Sequence, residues 1–158
     1  MSFIKNYEIY ETLPMEERKN TIGEVVAFFE EKTIQYILSN LKREIKLDKA
    51  PVAIQYVGEL IEGKNVSFAS NTVYIYEGFL AEDKQSIFYE VAHNTVCAIF
   101  LCLFSNTAAN PKKKTSFSKL SSTFTASIAS EFALGTSFAQ DIMSEFAMEM
   151  SDGIELAE

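Results

Sequence analysis

The chain has 158 residues, enough to bury roughly two thirds of its unfolded surface, so one domain over 1–158 is expected, with no metal or disulfide needed for folding. A composition of 47% hydrophobic, 13% aromatic and 23% charged residues excludes a disordered chain. The formal charge of -8 gathers at one end: from Leu120 to Glu158 there are seven acids and no lysine or arginine, which excludes nucleic-acid binding through that surface.

The first residues, MSFIKNYEIYETLP, carry acids and tyrosines where a secretion signal needs a basic start and a clean apolar run. A cytoplasmic location is expected. Thr12, Pro14, Glu16 and Glu17 then form a helix start, since a hydroxyl cap, an early proline and negative charge all suit a helix N-terminus. Ile22, Val25, Val26, Phe29, Ile34, Ile37, Leu38, Leu41 and Ile45 keep helical spacing to about residue 46, as one long helix or as two broken near Thr33. The segment LDKAP ends it, because the residue before a proline disfavours helix.

Three short runs rich in β-branched and aromatic residues follow, VAIQYV at 52–57, NVSFA at 65–69 and TVYIY at 72–76. They predict a small three-stranded antiparallel sheet. Helical spacing returns from about Glu82 to Phe104. This second helix is apolar nearly all round, so it reads as the buried centre of the molecule rather than a membrane span, which Gln85, Glu90, His93 and Asn94 would interrupt. Cys97 and Cys102 lie on it five apart and on different faces, which fits free intracellular thiols. SNTAANPKKKTS reads as a loop, and a Ser/Thr-rich helix runs from about Ser116 to Met150 with a break expected at Gly135. The last residues, about 151–158, read as a flexible acidic tail. The fold class is therefore α+β and mainly helical.

The central helix holds the most informative stretch, FYEVAHNT. Tyr89 and His93 are four apart and share a face, and Glu90 lies about 60° round the helix from His93. A carboxylate on so apolar a helix needs a donor, a metal-bound water or a place at the rim. In the next helix Phe117, Leu120, Phe124, Ile128, Gly135 and Phe138 fall on one stripe with Glu131 among them, so Glu131 is expected to point inward. One plain explanation is a core histidine satisfied by Glu90, Glu131 or a tyrosine hydroxyl.

The order of a long helix, a small sheet ending in NTVYIY, a helix with Glu-x-x-His and a later helix with an inward Glu followed by FA resembles the minimal zincin metallopeptidases. The resemblance is closest to the ImmA/IrrE group, which acts on phage and stress repressors. It implies that His93 matches the second motif histidine, Glu90 the general base that activates water, and Glu131 the downstream zinc ligand. Tyr89 stands where the family has its first histidine. A phenol is a poor zinc ligand near neutral pH, and with Tyr89 there a catalytic zinc would lack one of three protein ligands.

The expectation is thus a non-catalytic protein-binding module with a degenerate zincin-like fold and no cofactor. Tyr89, Glu90, His93 and Glu131 would cluster beside the NTVYIY strand, whose open edge would accept an extended peptide. One alternative is a small acidic inhibitor or immunity protein that neutralises a basic toxin or nuclease, with Asp141, Glu145, Glu149 and Asp152 as the contact acids. Another is a zinc-dependent peptidase. The expected partner is a protein, basic in the inhibitor reading, with no nucleic acid or membrane, and homodimerisation stays open.

Overall fold

The computed structural model describes residues 2–40, 52–58, 64–69, 72–103, 111–132 and 135–157. The described residues form five helices and one sheet: α1 (Ser2–Glu8), α2 (Met15–Asn40), β1 (Ala53–Val57), β2 (Val66–Ala69), β3 (Thr72–Tyr76), α3 (Lys84–Leu103), α4 (Pro111–Phe132) and α5 (Ser137–Ala157). Short 3-10 turns, Tyr10–Thr12 and Glu77–Ala81, lead into α2 and α3. The α+β, mainly helical class is as expected from the sequence.

Helix α2 forms where Ile22, Val25, Val26 and Phe29 repeat at helical spacing, and all four are buried. It runs unbroken through Thr33. Residues 41–50, where its predicted end falls, lie outside the described residues. Helix α3 is the centre of the fold. It packs against α2, α4, α5 and the sheet, and Ile87, Phe88, Val91, Ala92, Val96, Ala98 and Ile99 are fully buried. A helix covered on most sides has little use for a polar face, which explains its mainly apolar character. No helix among the described residues is long and apolar enough to cross a membrane.

The sheet departs from expectation. Its order is β1-β3-β2, with β2 antiparallel to β3 but β1 parallel to it, Ala53 opposite Thr72 and Val57 opposite Tyr76. The close spacing of β2 and β3 makes them a hairpin, so β2 takes one edge of β3 and β1 can pair only with the other. As a result β3, the strand of NTVYIY, lies in the middle of the sheet and has no open edge. Addition of a peptide to that strand is ruled out by this pairing.

The first residues contain α1, whose Phe3 and Tyr7, four apart, are buried against the core. Helix α4 begins at Pro111, inside the stretch that reads as a loop, because proline suits the first helical position. Residues 104–110 lie outside the described residues. The expected break at Gly135 is present: its φ of 82° lies in the left-handed region that glycine enters without strain. Beyond it α5 runs to Ala157, through the segment that reads as a tail.

Arg18 fastens the N-terminal turn to the centre. Its guanidinium donates to the carbonyls of Leu13, Leu80 and Glu11, and the Tyr10 hydroxyl donates to the same Leu80 carbonyl at 2.9 Å. Around this anchor the aromatic rings of Phe3, Tyr7, Tyr10, Phe29, Phe88 and Phe138 meet mostly edge to face.

Candidate functional site

Tyr89, Glu90 and His93 stand on the middle of α3, where α4 and α5 cross it. The side chains that reach them come from Ser122 of α4 and Glu149 of α5. The Tyr89 hydroxyl donates to Glu149 Oε2 at 2.5 Å. Ser122 Oγ donates to the other oxygen, Glu149 Oε1, at 2.9 Å and lies 3.1 Å from His93 Nε2. A serine hydroxyl has one hydrogen, and with that hydrogen on Glu149 the network assigns the His93 Nε2 proton as donor to Ser122. His93 Nε2 is also 3.8 Å from Glu149 Oε1, and Cys97 Sγ is 3.6 Å from the same nitrogen. The Tyr89 and His93 rings lie nearly parallel, 17° apart.

Burial governs the protonation of this group. It pushes the Tyr89 phenol well above its usual range, and the bonded Glu149 adds to the effect. Glu90 is pushed up to about 7 by burial first and by the charges of Glu149 and Glu145 second. Burial also raises the Cys97 thiol to about 12, so it is no nucleophile near neutral pH. Ser122 is not activated either, because its proton is directed to Glu149 while His93 Nε2 donates to it rather than accepting from it, and its side chain is enclosed.

No family model, curated protein or solved structure matches this chain. The chemistry of the site therefore rests on its own geometry. Among the described residues no three or more His, Cys, Asp and Glu side chains are placed to hold a metal ion. The donor set agrees: a phenol held neutral and donating its proton is no ligand, so the residues present do not fit a catalytic zinc.

Glu131 does not join the group. It is exposed, nine positions after Ser122 on the same helix, which is half a turn round and about 13 Å along. The inward stripe of α4 is made by Ser121, Ser122, Thr125, Ile128 and Ala129, while Phe124 is only half-buried. Of the large residues expected on the inward stripe Ile128 and Phe138 are buried and Phe124 is half-buried, but the stripe does not take in Glu131, and Phe117 and Leu120 lie outside the described side chains. The acid that does reach Tyr89 and His93 is Glu149. Its signal lies in α5, where Phe138, Ile142, Glu145 and Glu149 follow one another at steps of four, three and four, so the acids continue a buried stripe. Ser122 had no signal of its own beyond a small residue on the tightly packed side of α4.

The acids expected to form a contact surface are partly used inside the molecule. Asp141 accepts from the Tyr7 hydroxyl at 2.5 Å, Glu145 from Gln85 Nε2 at 3.1 Å, and Glu149 from Tyr89 and Ser122. The side chain of Asp152 lies outside the described ones. Burial, with the charge of Asp83 next, raises the Glu145 carboxyl.

The opposite side of α4 and α5 is open. An exposed groove of about 370 Å³ runs between them, with Thr123, Ser127 and Ser130 on one wall and Met143 and Phe146 on the other. Glu131 lies at its end, and Met143 and Met148 are 40% and 61% exposed.

Proposed function

We propose that this chain is a non-catalytic protein-binding module built on a degenerate zincin-like plan. One observation carries the reading: the polar group where the resemblance puts a metal centre is closed on itself, with Tyr89, Ser122 and His93 all turned to Glu149 or to each other. Such a group locks α3, α4 and α5 together and presents no open position to a substrate. The zincin-like part is supported by the order of long helix, three strands and Tyr-Glu-x-x-His helix, and by the arrival of an acid, Glu149, opposite Tyr89 and His93. The binding part is supported by the open groove of α4 and α5 on the far side.

The inhibitor reading is the second one, favoured by the seven acids and absence of cations from Leu120 to Glu158. Three of the acids named for it are held by internal donors, which leaves the outer faces of α4 and α5 to do the binding.

Elemental mass spectrometry on tag-free protein, with His93→Ala beside it, tests the proposal. Both proteins should carry far less than one zinc per chain and neither should cleave peptides. One zinc per wild-type chain, lost in His93→Ala together with peptidase activity, would overturn it.

A further inference from the structure

We propose that the distal half of α5, residues 145–157, is a proton-controlled latch that lies closed over His93, Cys97 and Ser122 at low pH and lets go as pH rises. The two halves of α5 are held by different forces. Phe138, Ala139 and Ile142 anchor the first half in the core, and all three are buried. After Ile142 no described side chain of α5 is buried: Phe146 is half-buried against the core, while Ala147 and Met148 are exposed. Two carboxylates tie the distal half down instead. Glu145 accepts from Gln85 of α3, and Glu149 accepts from Tyr89 of α3 and Ser122 of α4. The segment has little helix stability of its own, because Gly153 weakens its interior and Glu149, Asp152 and Glu155 stand toward its negative end with no basic residue in the last turn. A free helix of about a dozen residues is marginal in water even when its sequence favours it. Once released from α3 the distal half therefore unwinds, while the first half stays docked.

The trigger is a third carboxylate. Glu90 of α3 is half-buried in the field of Glu149 and Glu145, and among the described residues no donor reaches its carboxyl. Its surroundings add negative charge or none. Asp83 and Asp141 act on Glu145 from the same seam, the Tyr89 phenol and Cys97 thiol stay protonated, and α4 brings the uncharged Ser122. From α2 and the sheet no described charge acts on Glu90. Lys84 is turned to the Tyr7 ring, at 4.7 Å, and Lys119, one turn before Ser122, has a side chain outside the described ones. With α5 down, burial and the charges of Glu149 and Glu145 raise the Glu90 carboxyl to about 7, and burial and Asp83 raise that of Glu145. Lifting the distal half returns both toward the ordinary 4.5. The closed form thus holds protons that the open form gives up, so closure is strongest below the ordinary value and weakens as pH rises to about 7. Protonation of His93, 3.8 Å from Glu149 Oε1, acts with the same sign.

Hydrogen exchange of the full chain, followed by mass spectrometry and corrected for the intrinsic effect of pH, tests the latch at amides 146–150, clear of the fraying end. One proton released on opening shifts the equilibrium by up to about tenfold per pH unit. The protection gap between these amides and those of 138–142 and α3 should widen at least about tenfold from pH 5.5 to pH 8. In Glu90→Gln, uncharged at every pH, the gap should stay within about twofold, and Glu16→Gln, which removes an exposed charge at the start of α2, should behave as wild type. Cys97 in a Cys102→Ser chain gives a second readout, since a thiol reagent should reach it faster as the amides open, relative to the urea-unfolded chain at the same pH. Equal loss of protection in 138–142 and α3 would mean that the whole chain loosens and would overturn the latch. A gap that does not change with pH, or that widens as much in Glu90→Gln, would overturn the proton control. Cys97 remaining closed while amides 146–150 open would overturn the cover over His93, Cys97 and Ser122.

Discussion

The Tyr89 hydroxyl and Glu149 Oε2 meet at 2.5 Å across 60 positions of the chain, joining the central helix to the last one. Each needs the other. The phenol is buried and would lose its acceptor, and the half-buried carboxylate has Ser122 as its other neutral donor. Tyr89→Phe keeps the ring and removes only the hydroxyl. It should lower stability by about 1–3 kcal/mol, the cost of leaving a charged acceptor short of one partner. Urea unfolding followed by circular dichroism gives the number, and a change within about 0.3 kcal/mol, inside the scatter of surface substitutions, would mean the bond does not hold α5 in place.

Glu90 gives the chain a pH dependence of unusual sign. Its folded carboxyl is raised to about 7 from an ordinary 4.5 by burial and by Glu149 and Glu145. Below the ordinary value the proton is bound in both states and nothing is lost. As pH rises toward 7 the unfolded chain releases the proton while the folded chain retains it, so stability falls, and above about 7 the loss is complete at about 3 kcal/mol. Glu90→Gln removes this loss. The variant should match the wild type near pH 4.5, exceed it by up to about 3 kcal/mol at pH 8, and show a flatter profile between. Chemical denaturation at closely spaced pH values measures it, and a variant weaker than the wild type at pH 8 would show that the carboxylate has a stabilising partner.

Phe138 stands at the meeting point of four helices. Its ring centroid lies 5.4 Å from those of Phe3 and Tyr7, 6.0 Å from Phe88 and 6.4 Å from Phe29, and the side chain is fully buried. Phe138→Ala would open a cavity that α1, α2, α3 and α5 all border, at a cost of about 3–5 kcal/mol. A drop in the denaturation midpoint without a change in its slope is the expected sign. A loss below about 1 kcal/mol would mean the rings close over the gap.

What the sequence revealed follows the range of the forces involved. Helices α2 and α3 were legible because their apolar spacing is local, and the break at Gly135 because one residue type suits a left-handed turn. The parallel pairing of β1 was not, since it depends on which edge of β3 the hairpin leaves free, a fact about the whole chain. Pro111 and the lysines after it read as a loop, yet that proline opens α4. In the site, the pairing of Tyr89 and His93 on one face was visible from their spacing. Glu131 reads as inward when large residues mark the inward face of α4, whereas close packing against α3 favours serine, threonine and alanine there beside Ile128. Glu149 was legible in principle, as the continuation of the Phe138, Ile142 and Glu145 stripe, but its acid neighbours made it look like surface.

In the proposed function Tyr89 closes a metal position that would otherwise be open between His93 and Glu149. Substituting Tyr89→His and measuring zinc per chain by elemental mass spectrometry, with Glu149→Gln added in a second variant, tests it most directly. Wild type is expected to take up far less than one zinc per chain and Tyr89→His about one, since two histidines and an acid then complete a three-ligand site, and Glu149→Gln should remove it again. Stoichiometric zinc in the wild type, or a folded Tyr89→His that takes up no more zinc than the wild type, would contradict it.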